Sequence, residues 1–493
     1  MKIQFCGAAR EVTGSCHLLT LDDGFTILLD CGLYQGHSAS MKEFNENWLF
    51  TPAEINCMVL SHAHIDHSGR LPKLVKDGYN QTIYSTHATR ELANIMLLDS
   101  AGIQVRDAEY ENKRAEKRGK KADVEPLYTD DDVRATTKLF ASFNYDHWFS
   151  VHENVEVLFK DAGHILGSAS VTLKITEGGK TTILGFSGDI GRPNRPILND
   201  PQPMPQCDIL LCESTYGDRL HEEAPEETER FLKIIHNTCI EKRGKLIIPA
   251  FSVGRTQEIV YILDKLVQAK RLPHVPVYVD SPLGVSATQV FINHPECFDS
   301  DLHEYMLKNA NPFGFESLKF LRKTEDSKKL NTSDEPCIII SASGMANAGR
   351  VKHHLANNVE NWRTTVLIVG YASPDSPAGQ LRNGSKLVRF FGDMKKINCD
   401  VEIMDSFSAH GDYKEMLQFI DNQKVSLKKL FLVHGDFDTQ IIFKKYLNDN
   451  GFPRIEIPEL GEVVELTDER LKQTPQYVLP QKGHSDNQVE QGE

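Results

Sequence analysis

Up to about residue 206 the chain alternates short apolar runs with Gly- and Asp-rich breaks. The runs Ile3 to Ala8, Ser15 to Leu21 and Phe25 to Asp30 predict a meander of antiparallel strands. Helical periodicity follows at Leu71 to Lys76 and Ala88 to Ala101, and strands return at Val155 to Phe159, Ser168 to Ile175 and Thr181 to Ser187. A different style begins near Cys207. Five almost unbroken apolar runs, Ile209 to Cys212, Lys245 to Pro249, Val277 to Val279, Cys337 to Ile340 and Thr365 to Val369, alternate with helical segments such as Thr256 to Gln268. Strands hydrophobic on both faces, interleaved with helices, predict a parallel sheet covered on both sides. After about Cys399 the first style resumes, with Val401 to Met404 and Lys429 to Val433.

This pattern predicts an α/β protein in which an insertion splits one domain. The expected parts are residues 1–206, the insertion 207–396, a returning part 397–466, and a Gln-, Gly- and Ser-rich tail 467–493 without fixed structure. A chain of 493 residues is too long for one ordinary core, which agrees with two domains.

Composition narrows the classes. Charged residues make up 25% and hydrophobic residues 40%, as in a globular protein, and no apolar run approaches the ~18 residues needed to cross a membrane. The N-terminus enters a strand pattern at once, without a signal-peptide core. Ten cysteines stand singly within apolar runs, never as Cys-x-x-Cys, and read as small buried hydrophobes of a reducing cytoplasm. A formal net charge of −14 argues against diffuse attraction to nucleic acid, so a phosphate-binding surface would have to be local. The most basic stretch, Glu111 to Lys121, reads as a solvated helix face or loop.

The densest chemistry lies at Ser61-His62-Ala63-His64-Ile65-Asp66-His67-Ser68-Gly69, directly after the apolar run Cys57 to Leu60. Leaving an extended strand, His62 and His64 project to one side, while Asp66 and His67 face a second point nearby. Imidazoles with a carboxylate and no thiolate suit zinc in an open, catalytic site. More ligands are needed to close two metal shells. Asp30 ends one strand, and His164 and Asp189 each follow a glycine that permits a sharp turn. His410 and His434 follow strand ends in the returning part. Past the parallel strands, Ser252, Arg255 and the turn containing Ser343 and Gly344 stand where backbone N–H groups can meet phosphate. His353-His354 has no carboxylate at ligand spacing and reads as structural.

His62-Ala-His64-Ile-Asp66-His67, with Asp30, His164 and Asp189, resembles the metallo-β-lactamase superfamily. Glu213 in Cys-Glu-Ser-Thr-Tyr-Gly-Asp, His410 in Ser-Phe-Ser-Ala-His-Gly-Asp-Tyr, and His434 in Leu-Val-His-Gly-Asp resemble the three further motifs of the β-CASP nucleases. The ordered set spans Met1 to roughly Leu466. The resemblance implies an αββα metallo-β-lactamase sandwich interrupted by a Rossmann-like β-CASP domain. It implies one zinc bound by His62, His64 and His164, a second bound by Asp66, His67 and His434, and Asp189 bridging them. DNA-specific members usually carry an apolar residue at the position of His434, so RNA is the implied substrate. The segment Gly370 to Leu381 lacks the Gly-Thr-Leu-Gly-Arg run common in relatives, and neither the KH module of many archaeal relatives nor the appended domain of the RNase J type is expected.

The function expected is a two-zinc, cytoplasmic ribonuclease. Metal-activated water would leave a 5′-phosphate and a 3′-hydroxyl, with His410 as general acid, Glu213 orienting it, and Asp30 orienting a ligand or the water. Ser252, Arg255, Ser343 and Gly344 are expected to contact phosphates flanking the cut. A homodimer is compatible with the sequence. Rival expectations are a hydrolase of small esters or thioesters, which would not need the insertion, and an inactive RNA-binding scaffold.

Overall fold

A computed structural model of the chain describes residues 1–35, 39–119, 123–221, 227–370, 372–404, 409–475 and 477. The expectation of an unstructured tail therefore falls largely outside the described residues, as do Ser406 to Ser408 of the His410 motif and the last lysines of the basic run.

Two seven-stranded sheets and one six-stranded sheet form the framework. The first runs Val463–Glu465, Lys2–Gly7, Cys16–Thr20, Thr26–Leu29, Cys57–Val59, Ile83–Thr86 and Phe140–Phe143. Its first hairpins are antiparallel, Lys2 opposite Thr20 and His17 opposite Leu29, as the meander pattern predicts. The second runs Ile455–Glu456, Lys429–Val433, Ile209–Glu213, Lys180–Phe186, Ala169–Glu177, Val155–Asp161 and Phe149–His152.

Strand periodicity sets the layers. Ile3, Phe5, Ile27, Leu29 and Val59 from the first sheet meet Val157, Phe159, Val171, Leu173, Ile209, Leu211, Phe431 and Val433 from the second in one buried cluster. The alternate positions Leu210, Cys212, Leu430 and Leu432 face outward onto Met416, Phe419, Phe443 and Leu447 of helices Tyr413–Ile420 and Phe437–Asp449. Helices cover the outer face of the first sheet too, where Leu28 and Met58 pack with Leu71, Leu92 and Leu97. That is the expected αββα sandwich.

The six-stranded sheet runs Leu318–Phe320, Val277–Val279, Cys337–Ser341, Lys245–Pro249, Thr365–Val369 and Asp400–Met404, all parallel. Its membership corrects the sequence reading at both ends. Ile209–Glu213 belongs to the second sheet of the sandwich, between Lys180–Phe186 and Lys429–Val433, and Asp400–Met404, read as the return of the first style, is an edge strand of the parallel sheet. A run buried on both faces looks the same in either place, because the second sheet lies between helices and the first sheet. The chain thus crosses between the units after Glu213 and again after Met404.

Helix His87–Lys117 is longer than its periodic segment and absorbs most of the basic run, whose Lys113, Arg114 and Lys117 are exposed. Helix Pro282–Asn293 packs on it from the parallel-sheet unit, and one apolar cluster continues from Leu92 and Met96 through Ile165 and Leu166 to Ala287, Val290 and Phe291. All ten cysteines are buried free thiols. Among the described residues no helix is long and apolar enough to cross a membrane.

Candidate metal centre

The ends of four strands of the sandwich converge on one point. Thr26–Leu29 ends at Asp30, Cys57–Val59 leads to His62 and His64, Lys180–Phe186 leads to Asp189, and Lys429–Val433 ends at His434. Backbone geometry turns the side chains inward. Asp30 and His434 adopt left-handed φ of 57° and 51°, a conformation that costs an L-residue and recurs at functional sites. Gly188, at φ 54°, precedes Asp189, and a Cβ there would stand 2.9 Å from the Ser61 Cβ. The chain can pass this close only without a side chain.

Among the described residues three groups of possible ligand atoms lie within 4.8 Å of one another: His62, His64, His164 and Asp189; Asp66, His67 and His434; and, on the open side, Asp189, Glu213 and His410. The first two are rich in imidazole and are the candidate metal sites. Asp189 lies between them. Its Oδ2 is 3.5 Å from His62 Nε2 and 3.4 Å from His164 Nε2, while its Oδ1 is 3.2 Å from His67 Nε2 and 3.6 Å from His434 Nδ1. The His62, His67, His164, His434 and Asp189 side chains are at most 3% exposed; that of Asp66 is 21% exposed.

The donor set fits divalent cations. Imidazole nitrogens face each other, His64 Nδ1 at 3.2 Å from His62 Nε2 and 3.1 Å from His164 Nε2, and His67 Nε2 at 3.1 Å from His434 Nε2. Such facing nitrogens need a proton or a cation between them. Asp189 Oδ1 is buried without a hydrogen-bond partner, which is costly unless another charge serves it. Burial pulls the imidazoles of His62 and His164 well below their usual range and His64 to about 4, favouring the neutral, ligating form. At His67 burial acts in the same sense, but the carboxylates of Asp189 and Asp30 outweigh it and hold that imidazole well above its usual range. This half of the centre attracts positive charge.

Behind these candidate ligands stands a polar support. Asp30 Oδ2 is 2.6 Å from His67 Nδ1; Asp30 also accepts from Ser61 N at 2.8 Å, Ser61 Oγ at 2.9 Å and Ser15 Oγ at 3.2 Å. Thr215 donates its hydroxyl to Glu213 Oε2 at 2.6 Å and lies 3.0 Å from His434 Nδ1. Ser61 opens the His-rich motif and Thr215 lies two residues after Glu213 in its motif, but the sequence pattern assigns neither a role, and Ser15 carries no local signal.

On the open side, His410 has a side chain 21% exposed, with Nδ1 3.3 Å from Glu213 Oε2 and 3.9 Å from Asp189 Oδ2. Glu213 also accepts from the Ile190 backbone N–H. Burial depresses the His410 pKa, but Glu213 and Asp189 outweigh it and bring it to about 9. Cations in the adjacent groups would oppose that rise.

The four expected phosphate contacts lie at the C-terminal edge of the parallel sheet. Ser252 Oγ is 2.9 Å from Ser281 Oγ, Arg255 pairs with Glu258, and Ser343 Oγ donates to Asn347 at 2.9 Å. These polar groups thus already have partners within the protein. The reading of His354 is corrected in one respect. It has a carboxylate partner after all, Asp280 Oδ2 at 2.7 Å, which also accepts from Ser327, while Asp280 Oδ1 accepts from Arg350 at 2.6 Å. The pair lies 74 positions apart, beyond any local spacing rule.

Comparison with known proteins follows the same division. The chain matches a metallo-beta-lactamase superfamily domain over residues 18–184, a Beta-Casp domain over 256–381, and a Zn-dependent metallo-hydrolase RNA specificity domain over 394–458. It is 33% identical over 464 residues to a ribonuclease of Thermus thermophilus, covering 94% of this chain and 100% of that protein. It is 30% identical over 450 residues to a transcription termination factor of Methanosarcina mazei, covering 88% and 67%. With an endoribonuclease of Yarrowia lipolytica it shares 29% identity over 486 residues, covering 94% of this chain and 55% of that protein.

Proposed function

Since the chain belongs to the β-CASP family of metallo-β-lactamase-fold hydrolases, we propose that it is a two-zinc ribonuclease that cuts RNA phosphodiester bonds to leave a 5′-phosphate and a 3′-hydroxyl. The observation that carries the reading is the meeting of His62, His64, Asp66, His67, His164 and His434 around Asp189, with the more accessible His410 beside them. In this reading His62, His64 and His164 would hold one zinc and Asp66, His67 and His434 the other, with Asp189, whose Oδ2 lies near His62 and His164 and whose Oδ1 lies near His67 and His434, serving both groups. Bound zinc supplies an activated water at neutral pH and polarises a phosphoryl oxygen.

The chain's own groups do the rest. Asp30 fixes the His67 ring so that Nε2 faces the centre. Glu213 holds His410 through Nδ1 and stabilises its cation, which leaves the other ring nitrogen to donate a proton to the departing 3′-oxygen. Glu213 and Thr215 join His410 and His434 into one support, so the acid and one ligand keep a fixed separation. RNA as the substrate rests on the ribonuclease relatives and on an imidazole at His434. A cytoplasmic location is part of the same reading and rests on the ten buried free thiols.

The test is incubation of the metal-loaded protein with 5′-labelled and internally labelled RNA and with matched DNA. RNA products with 5′-phosphates and uncut DNA are expected. Two bound zincs with no RNA cleavage would refute the proposal, and turnover of small esters after removal of the inserted unit would favour the rival hydrolase.

A further inference from the structure

Phe251 stands in the loop between strand Lys245–Pro249 and helix Arg255–Gln268, at the C-terminal edge of the parallel sheet. Large aromatic side chains are ordinarily covered, yet this one is 48% exposed. Its backbone is pinned, because the Phe251 carbonyl accepts from Thr256 N at 3.2 Å and from Thr256 Oγ1 at 2.7 Å, and the next residue bonds Ser281 through its hydroxyl. Its ring packs over Gly344, where a Cβ would lie 3.1 to 3.4 Å from Cε2, Cδ2 and Cζ. The absence of a side chain at 344 leaves room for this close approach, and nearly half of the Phe251 surface remains open.

The same loop lies beside the segment that carries His164. A Cβ on Gly254 would sit 4.0 Å from Ile165, the residue after His164. A polymer that left the centre along the C-terminal edge of the parallel sheet would pass across this loop. A half-open aromatic ring on a hydrogen-bonded stretch of backbone matches the flat face that single-stranded nucleic-acid binders offer to a base, a contact that is tolerant of sequence.

On the ribonuclease reading, we propose that Phe251 is a stacking residue: its exposed face receives one nucleobase near the scissile phosphate and sets the register of the RNA strand. The contact touches a base and not the reacting atoms, so it should act on KM more than on kcat.

The experiment compares wild type with Phe251→Ala, Phe251→Leu and Phe251→Trp on single-stranded RNA oligomers, with zinc content measured for each. Expected are two zincs per chain throughout, KM raised about 5- to 100-fold in the Ala variant, a smaller recovery with Leu, and near-complete recovery with Trp. In a companion series one abasic nucleotide is moved along the RNA. Wild type should lose affinity at one position, and Phe251→Ala should be indifferent there, since the ring that would notice is already gone. Unchanged KM in Phe251→Ala, or equal losses in Ala and Trp variants that both hold their zinc, overturns the stacking assignment while leaving the ribonuclease intact. A wild-type protein that holds zinc and cuts no RNA overturns both.

Discussion

Asp30 Oδ2 and His67 Nδ1 meet at 2.6 Å across 37 positions of sequence, within a carboxylate that also accepts from Ser15 and Ser61. The contact fixes which ring nitrogen of His67 faces Asp189 and His434. Asp30→Asn keeps the shape but puts an amide donor among donors. Affinity for the second zinc should fall about 10- to 100-fold, with the His62, His64 and His164 group keeping its ion. Stepwise metal titration of the apo variant checks this; loss of both ions in parallel would mean that Asp30 supports the whole centre.

His410 and Glu213 predict a separation between binding and chemistry. His410→Ala should retain two zincs and lower the RNA cleavage rate at saturation about 10²–10⁴-fold. Glu213→Gln should fall in the same direction by a smaller factor, because the imidazole stays while its charge partner goes. Single-turnover kinetics with metal analysis on the same samples decides it.

A pH prediction comes from far outside the centre. Glu456 is buried against Lys429 and Arg470. Burial alone would raise its pKa, but the hydrogen bonds from Arg470 and Lys429 outweigh that and lower it. With the folded value below the unfolded value of about 4.3, the stabilisation is complete above that pH and is lost as the pH falls through the folded value. Glu456→Gln leaves the fully buried Lys429 without its counter-charge, so at neutral pH it should destabilise by about 3–5 kcal/mol. Thermal midpoints of variant and wild type across an acid series should differ at pH 7 and converge toward low pH; a constant difference would refute the linkage.

Much of the centre is legible in the sequence because its residues sit at strand ends marked by local signals. Asp30 closes an apolar run, His164 and Asp189 follow glycines with positive φ, and His62 to His67 crowd into one loop. What escapes depends on distant partners. Thr215 matters because it touches Glu213 and His434 together, and Asp280 meets His354 only once the parallel strands have been laid in order. The sequence pattern puts Ile209–Glu213 in the wrong sheet because full burial on both faces erases the alternation that distinguishes one sheet from another. Pattern gives an element and its burial; the choice of neighbour is made by the whole fold.

Two glycines with positive φ separate strain from function. Gly188 has φ 54° and Gly24 φ 89°, so alanine at either carries the left-handed penalty of about 1–2 kcal/mol. A Cβ added at Gly24 would find no heavy atom within 4 Å, and Gly24→Ala should lose a little stability while keeping both zincs and full cleavage. At Gly188 the added Cβ meets the Ser61 Cβ at 2.9 Å and the Ala169 carbonyl oxygen at 3.0 Å, both in elements that cannot yield without moving His62 or the neighbouring strand. The chain must then withdraw at Asp189, whose two oxygens serve both groups of imidazoles. Gly188→Ala should therefore have a lower metal-free thermal midpoint than Gly24→Ala, and where it folds it should bind fewer than two zincs and cleave RNA poorly. Equal zinc content and equal activity in the two variants would show that the position of Asp189 tolerates the shift.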